Sequence, residues 1–103
     1  MTAARTAVLV SGGGTNLQAL IDAEARGELP HAKLCLVVSN VEGAFALTRA
    51  ERAHIPTRVL NKRALGGQAA FEEALKALLK EYSIDLIVLA GFMVILSADF
   101  TRD

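Results

Sequence analysis

The sequence predicts an α/β fold: a four-stranded parallel sheet in the order 3-2-1-4, with helices in the crossovers. Three observations carry this. Residues 7–10, 34–38 and 86–90 are apolar without alternation and read as strands buried on both faces. Segments with apolar residues at helical spacing separate them. The first run ends in Gly12-Gly13-Gly14 and leads directly into one of those helical segments. Strands alternating with helices imply right-handed crossovers and a parallel sheet. In the usual Rossmann-like winding the first and fourth strands are neighbours whose connections leave in opposite directions. That opens a crevice at their carboxyl ends, flanked by residues 11–16 and 91–93.

Each element has its own signal. Leu17, Leu20, Ile21 and Ala25 share one helical face, and Thr15 with Gln18 has the spacing of a capping box. Arg26-Gly27 ends that helix with a basic last turn and a glycine stop. A second helix is expected over 44–53. Phe45, Leu47 and the alanines are available to pack there, Arg49, Glu51 and Arg52 face water, and His54-Ile55-Pro56 breaks the helix. Residues 57–60 alternate, which suits an edge strand, and 61–67 read as a loop. Phe71, Ala74, Leu75, Leu78, Leu79 and Tyr82 recur at helical spacing, with Glu72 and Lys76 expected to pair on the outer face. Residues 97–100 begin another short helix.

Composition bounds the function. A chain of 103 residues, 52% of them apolar, suffices for one domain with one core. Its formal net charge of zero and scattered basic residues argue against a nucleic-acid or anionic-membrane surface. The single cysteine, Cys35, lies in an apolar run and reads as a buried structural thiol. Neither a signal core nor an apolar run of membrane-spanning length occurs, so a cytoplasmic protein is expected.

A strand, a glycine turn and a helix start together suggest an anion site. Glycines let the backbone approach a ligand, and the first N–H groups of a helix have no partner of their own. Leu17 stands where a dinucleotide fingerprint needs its third glycine, and Ser39-Asn40 where it needs a ribose-binding acid. The lysine of an ATP-binding P-loop is missing as well. A single phosphate monoester held by Gly13, Gly14, Thr15 and Asn16 fits better. The alternative is a tight turn that uses glycine for positive φ and binds nothing.

Catalytic groups are scarce at this crevice. His31 and His54 precede the second and third strands, which puts them at the opposite edge of the sheet. No metal-ligand cluster is present, and near the right edge only Glu42, Asp99, Asn16, Asn40 and Gln68 remain. The apolar residues 92–96 either wall a pocket for a flat ligand or continue the core.

Residues 10–18 (Val-Ser-Gly-Gly-Gly-Thr-Asn-Leu-Gln), Val38-Ser39-Asn40 and residues 89–97 together resemble the phosphoribosylglycinamide formyltransferases of purine synthesis. The resemblance covers essentially the whole chain but only the amino-terminal half of the family's domain, so residues 1–103 are expected to be its substrate-phosphate-binding part. It implies that Gly14, Thr15 and Asn16 hold the ribose phosphate of glycinamide ribonucleotide. It also implies that Met93, Val94, Ile95 and Leu96 line the pocket for 10-formyltetrahydrofolate, a co-substrate, with no metal involved. The family commonly has arginine where Val94 stands and another where Gln68 aligns. Backbone groups would still let Val94 serve, whereas Gln68 gives up a cation toward the folate's acidic tail. The family's Asn-x-His-Pro-Ser segment and later aspartate are not in this sequence, so the catalytic residues are expected beyond Asp103 and the chain alone is expected to be inactive.

Two other classes stay open, a non-catalytic phosphosugar-binding module and a structural α/β domain of a larger assembly. The fourth strand reads as buried yet lies at the sheet edge, so a second copy of the chain or a carboxyl-terminal half is expected to cover it.

Overall fold

The computed structural model describes residues 4–90. Its elements run β1 (Ala4–Val10), α1 (Thr15–Ala25), β2 (Ala32–Ser39), α2 (Phe45–Arg52), β3 (Thr57–Val59), α3 (Lys62–Leu65), α4 (Gln68–Glu81) and β4 (Leu86–Leu89). All pairings are parallel and the order is β3-β2-β1-β4, as the sequence predicts. The expected helix at 97–100 and crevice wall at 91–93 lie outside the described residues.

β1 is the centre of the molecule, and its alternation divides the core. Val8 and Val10 pack with Leu17 of α1 and Ala46 and Ala50 of α2. Ala7 and Leu9 point the other way, onto Phe71 and Leu75 of α4. One face of the sheet thus carries α1 and α2, the other α4. In β2 the register slips by one: Thr6 pairs with Leu34 but Ala7 with Leu36, leaving Cys35 as an extra residue. Such a bulge reverses the alternation. Leu34 therefore joins the α1/α2 core, while Leu36 and Val38 join the α4 core. Cys35 itself is buried and in no disulfide, in keeping with a structural thiol.

α1, α2 and α4 end alike. Gly27, His54 and Ser83 adopt positive φ, and the next residue's N–H returns to a carbonyl five positions back. This satisfies carbonyls that a helix end leaves open. His54 is thus a helix stop at the amino edge of the sheet, where His31 also lies, its carbonyl accepting from Ala4 N–H.

Several expectations need correction. Gly14, not Thr15, caps α1, and no side chain caps it; Thr15 is already helical, so the capping box does not form. Phe45 is 46% exposed instead of packing inward. The segment read as the loop 61–67 contains α3, whose turn Asn61 steadies through its side chain and Ala64 N–H. Glu72 is buried, not on an outer face, and accepts from the Gln68 amide. Finally, among the described residues β4 pairs with β1 alone, and Leu86 and Leu89 are 46% and 57% exposed, so the strand does not show the burial on both faces that its composition suggests.

Candidate anion-binding site

The glycine loop leaves the carboxyl end of β1 and is tied down on the side facing α2. Ser11 donates from its hydroxyl to Asn40 Oδ1, and Asn40 N–H donates to Val10 O at 3.3 Å. The carbonyls of the three glycines are then taken up in turn. Gly12 O accepts from Ala46 N–H at 3.2 Å, at the start of α2. Gly13 O accepts from Arg49 Nε at 2.7 Å, and Gly14 O from Gln18 N–H at 2.8 Å within α1.

This pattern fixes the donors too. In a planar trans peptide the C=O of one residue and the N–H of the next point in opposite directions. With the carbonyls of Gly12, Gly13 and Gly14 turned inward, the N–H groups of Gly13, Gly14 and Thr15 turn away from the elements that hold the loop. No hydrogen bond among the described residues uses the N–H of Gly13, Gly14, Thr15 or Asn16. The positive end of the 11-residue helix α1 adds to the same field.

The three glycines have different reasons for being there. Gly14 has φ of 82°, and a Cβ on it would lie 2.7 Å from Ala46 Cα and Cβ. It is required by the turn and by close approach to α2. Gly12 and Gly13 have no positive φ, and a Cβ on either would meet nothing within 4 Å. The turn alone accounts for one glycine and not for the other two. Thr15 and Asn16 are exposed in the first turn of α1, beside the spare donors.

Arg49 is the residue that sequence reasoning missed. The helical pattern predicts that it faces water, yet it is half-buried and reaches back to the loop. Its guanidinium also donates to Gln18 Oε1 at 3.2 Å and lies 4.9 Å from the centroid of the Phe45 ring. The Phe45–Arg49 spacing of four places the two on one helical face, and that signal was available.

The other candidates are more dispersed. Gln68 opens α4 on the opposite side of the sheet from α1, half-buried, with its amide on Glu72. Met93, Val94, Ile95 and Leu96 lie outside the described residues. Among the described residues no group of three or more His, Cys, Asp or Glu could hold a metal ion, and no helix is long and apolar enough to cross a membrane.

The profile of the formyl transferase family matches residues 4–103. The chain belongs to the formyl transferase family. Within it, the phosphoribosylglycinamide formyltransferase of Haemophilus influenzae is 43% identical over 98 residues, covering 95% of this chain and 46% of that protein. The trifunctional purine biosynthetic protein adenosine-3 of Bos taurus is 48% identical over 99 residues, 96% of this chain and 10% of that protein. Among solved structures, glycinamide ribonucleotide transformylase 1 of Geobacillus kaustophilus superposes with a TM-score of 0.92 at 39% identity, covering 97% of this chain and 53% of that one. The chain therefore spans about half the length of its single-function relatives and a tenth or less of the trifunctional ones.

Proposed function

We propose that residues 1–103 form the amino-terminal, substrate-phosphate-binding part of a phosphoribosylglycinamide formyltransferase domain, and that the glycine loop holds the ribose phosphate of glycinamide ribonucleotide. The observation that carries this reading is the set of spare N–H groups from Gly13 to Asn16, on a loop whose three glycine carbonyls are engaged. A phosphate monoester offers several acceptor oxygens and negative charge, which suits converging main-chain donors at a helix start. The short side chains of Thr15 and Asn16 add a hydroxyl and an amide.

The reaction moves a formyl group from N10 of 10-formyltetrahydrofolate to the substrate amine. The amine nitrogen bonds to the formyl carbon, the bond from that carbon to N10 breaks, and one proton passes from the amine to N10. Such a transfer needs an oxyanion stabiliser and a proton carrier. His31 and His54 sit at the amino edge of the sheet, away from the loop, so neither is assigned that work. The folate is assigned to Met93, Val94, Ile95, Leu96 and Gln68, without a metal, and the setting is cytoplasmic. The assigned partners are these two small molecules, and the β4 edge is assigned to contact with a second copy of the chain or with a carboxyl-terminal half of the domain.

Calorimetric titration with glycinamide ribonucleotide and with its dephosphorylated riboside tests this reading. The ribonucleotide is expected to bind and the riboside to lose most of the affinity. Equal affinity for both would remove the phosphate from the account.

A further inference from the structure

We infer that Arg49 is the positioning residue of the anion loop: it holds the peptide between Gly13 and Gly14 in the orientation that presents the Gly14 N–H. This rests on reading the loop as a phosphate site. Of the three glycine carbonyls, those of Gly12 and Gly14 are held by main-chain N–H groups of Ala46 and Gln18. Only Gly13 O depends on a side chain, through Arg49 Nε at 2.7 Å.

That peptide is the one most in need of a hold. It is flanked by glycine on both sides, and glycine restricts φ and ψ least. A rotation of the peptide plane would carry the carbonyl outward and the N–H inward together. An outward carbonyl would set a partial negative charge where the phosphate is to sit. Arg49 opposes this with a charged donor that is itself fixed. Its second donor, Nη1, bonds Gln18 Oε1 at 3.2 Å, and Gln18 Nε2 in turn donates to Asp22 at 2.9 Å. The ring of Phe45 supports the guanidinium plane at 4.9 Å, which gives that exposed aromatic residue a purpose. Lysine would keep the charge but not the planar fork that serves two acceptors at once.

The test titrates isotopically labelled protein with inorganic phosphate, comparing the wild type with Arg49→Lys and Arg49→Met, with urea unfolding run alongside. In the wild type the amides of Gly13, Gly14, Thr15 and Asn16 are expected to shift most. Arg49→Met is expected to bind about tenfold more weakly, the range of a lost charge-assisted hydrogen bond. Arg49→Lys is expected to bind severalfold more weakly despite its charge. In both variants the Gly14 amide resonance is expected to move or broaden before any phosphate is added. Wild-type affinity in Arg49→Lys would show that charge alone matters and overturn the positioning role, as would unchanged affinity in Arg49→Met. If the wild-type loop amides ignore phosphate while others respond, the phosphate reading itself falls, and the inference with it.

Discussion

Replacing Gly14 by alanine tests whether the loop is shaped as described. The new Cβ would sit on a residue at φ 82° and 2.7 Å from both Ala46 Cα and Cβ. The left-handed conformation costs an L-residue about 1–2 kcal/mol, and crowding a packed contact costs about 1–3 kcal/mol more. Part of this is offset by about 0.4–1 kcal/mol, because alanine lowers the entropy of the unfolded chain. The net loss is roughly 1–5 kcal/mol, a substantial share of the ~5–15 kcal/mol that holds a domain together. Ala46 Cα is backbone and cannot swing aside, so α2 must move off the loop. Gly13→Ala is the control, since its Cβ meets nothing and its φ is not positive. It is expected to stay within about 0.5 kcal/mol of wild type in stability. Its methyl group would crowd the phosphate path, with an expected loss of roughly tenfold in phosphate affinity. Urea unfolding followed by circular dichroism gives both stabilities. Equal midpoints for Gly14→Ala and wild type, or equal destabilisation by the two substitutions, would refute the assignment of different roles to these glycines.

Three further outcomes are expected. Phe71→Ala, which empties a fully buried site under the sheet, should cost about 3–5 kcal/mol, while Leu86→Ala on the exposed edge should cost well under 1 kcal/mol; similar losses in urea would contradict the division of the core. The β4 edge, with Leu86 and Leu89 exposed, should drive self-association of the 103-residue chain at micromolar concentration. Leu89→Lys should weaken that association, and a clean wild-type monomer in sedimentation would count against it. In an assay with glycinamide ribonucleotide and 10-formyltetrahydrofolate the chain alone should show no turnover, since lost acid–base help costs about two to four orders of magnitude and lost carbonyl polarisation about two to three more. Turnover matching a full-length relative would mean that catalytic groups have been missed here.

The sheet order and the glycine loop's place between β1 and α1 were legible because they follow from apolar runs alternating with helical spacing. The division of the core between the faces was not. A strand buried on both sides gives no alternation, so nothing in Leu34-Cys35-Leu36-Val37-Val38 reveals that Cys35 is the extra residue. The capping box misled because Thr15-x-x-Gln18 has the right spacing one residue too late: Gly14 already supplies the turn, and Gln18 is drawn to Arg49 and Asp22. Phe45 was read by its hydrophobicity, although its partners are two cations, Arg49 and Arg52, over its ring. β4 has the composition of a buried strand but only one neighbour among the described residues. For Cys35 a strand distant in sequence decided the outcome, whereas for Phe45 cations one and two helical turns away did.

If the N–H groups of Gly13, Gly14, Thr15 and Asn16 receive a phosphate, amide chemical shifts report on each of them individually. The most direct measurement is a titration of the labelled wild-type chain with glycinamide ribonucleotide, with the riboside as control. The account predicts saturable shifts largest at these four amides with the ribonucleotide, and little change there with the riboside. Largest shifts elsewhere, or the same loop response to both ligands, would contradict it.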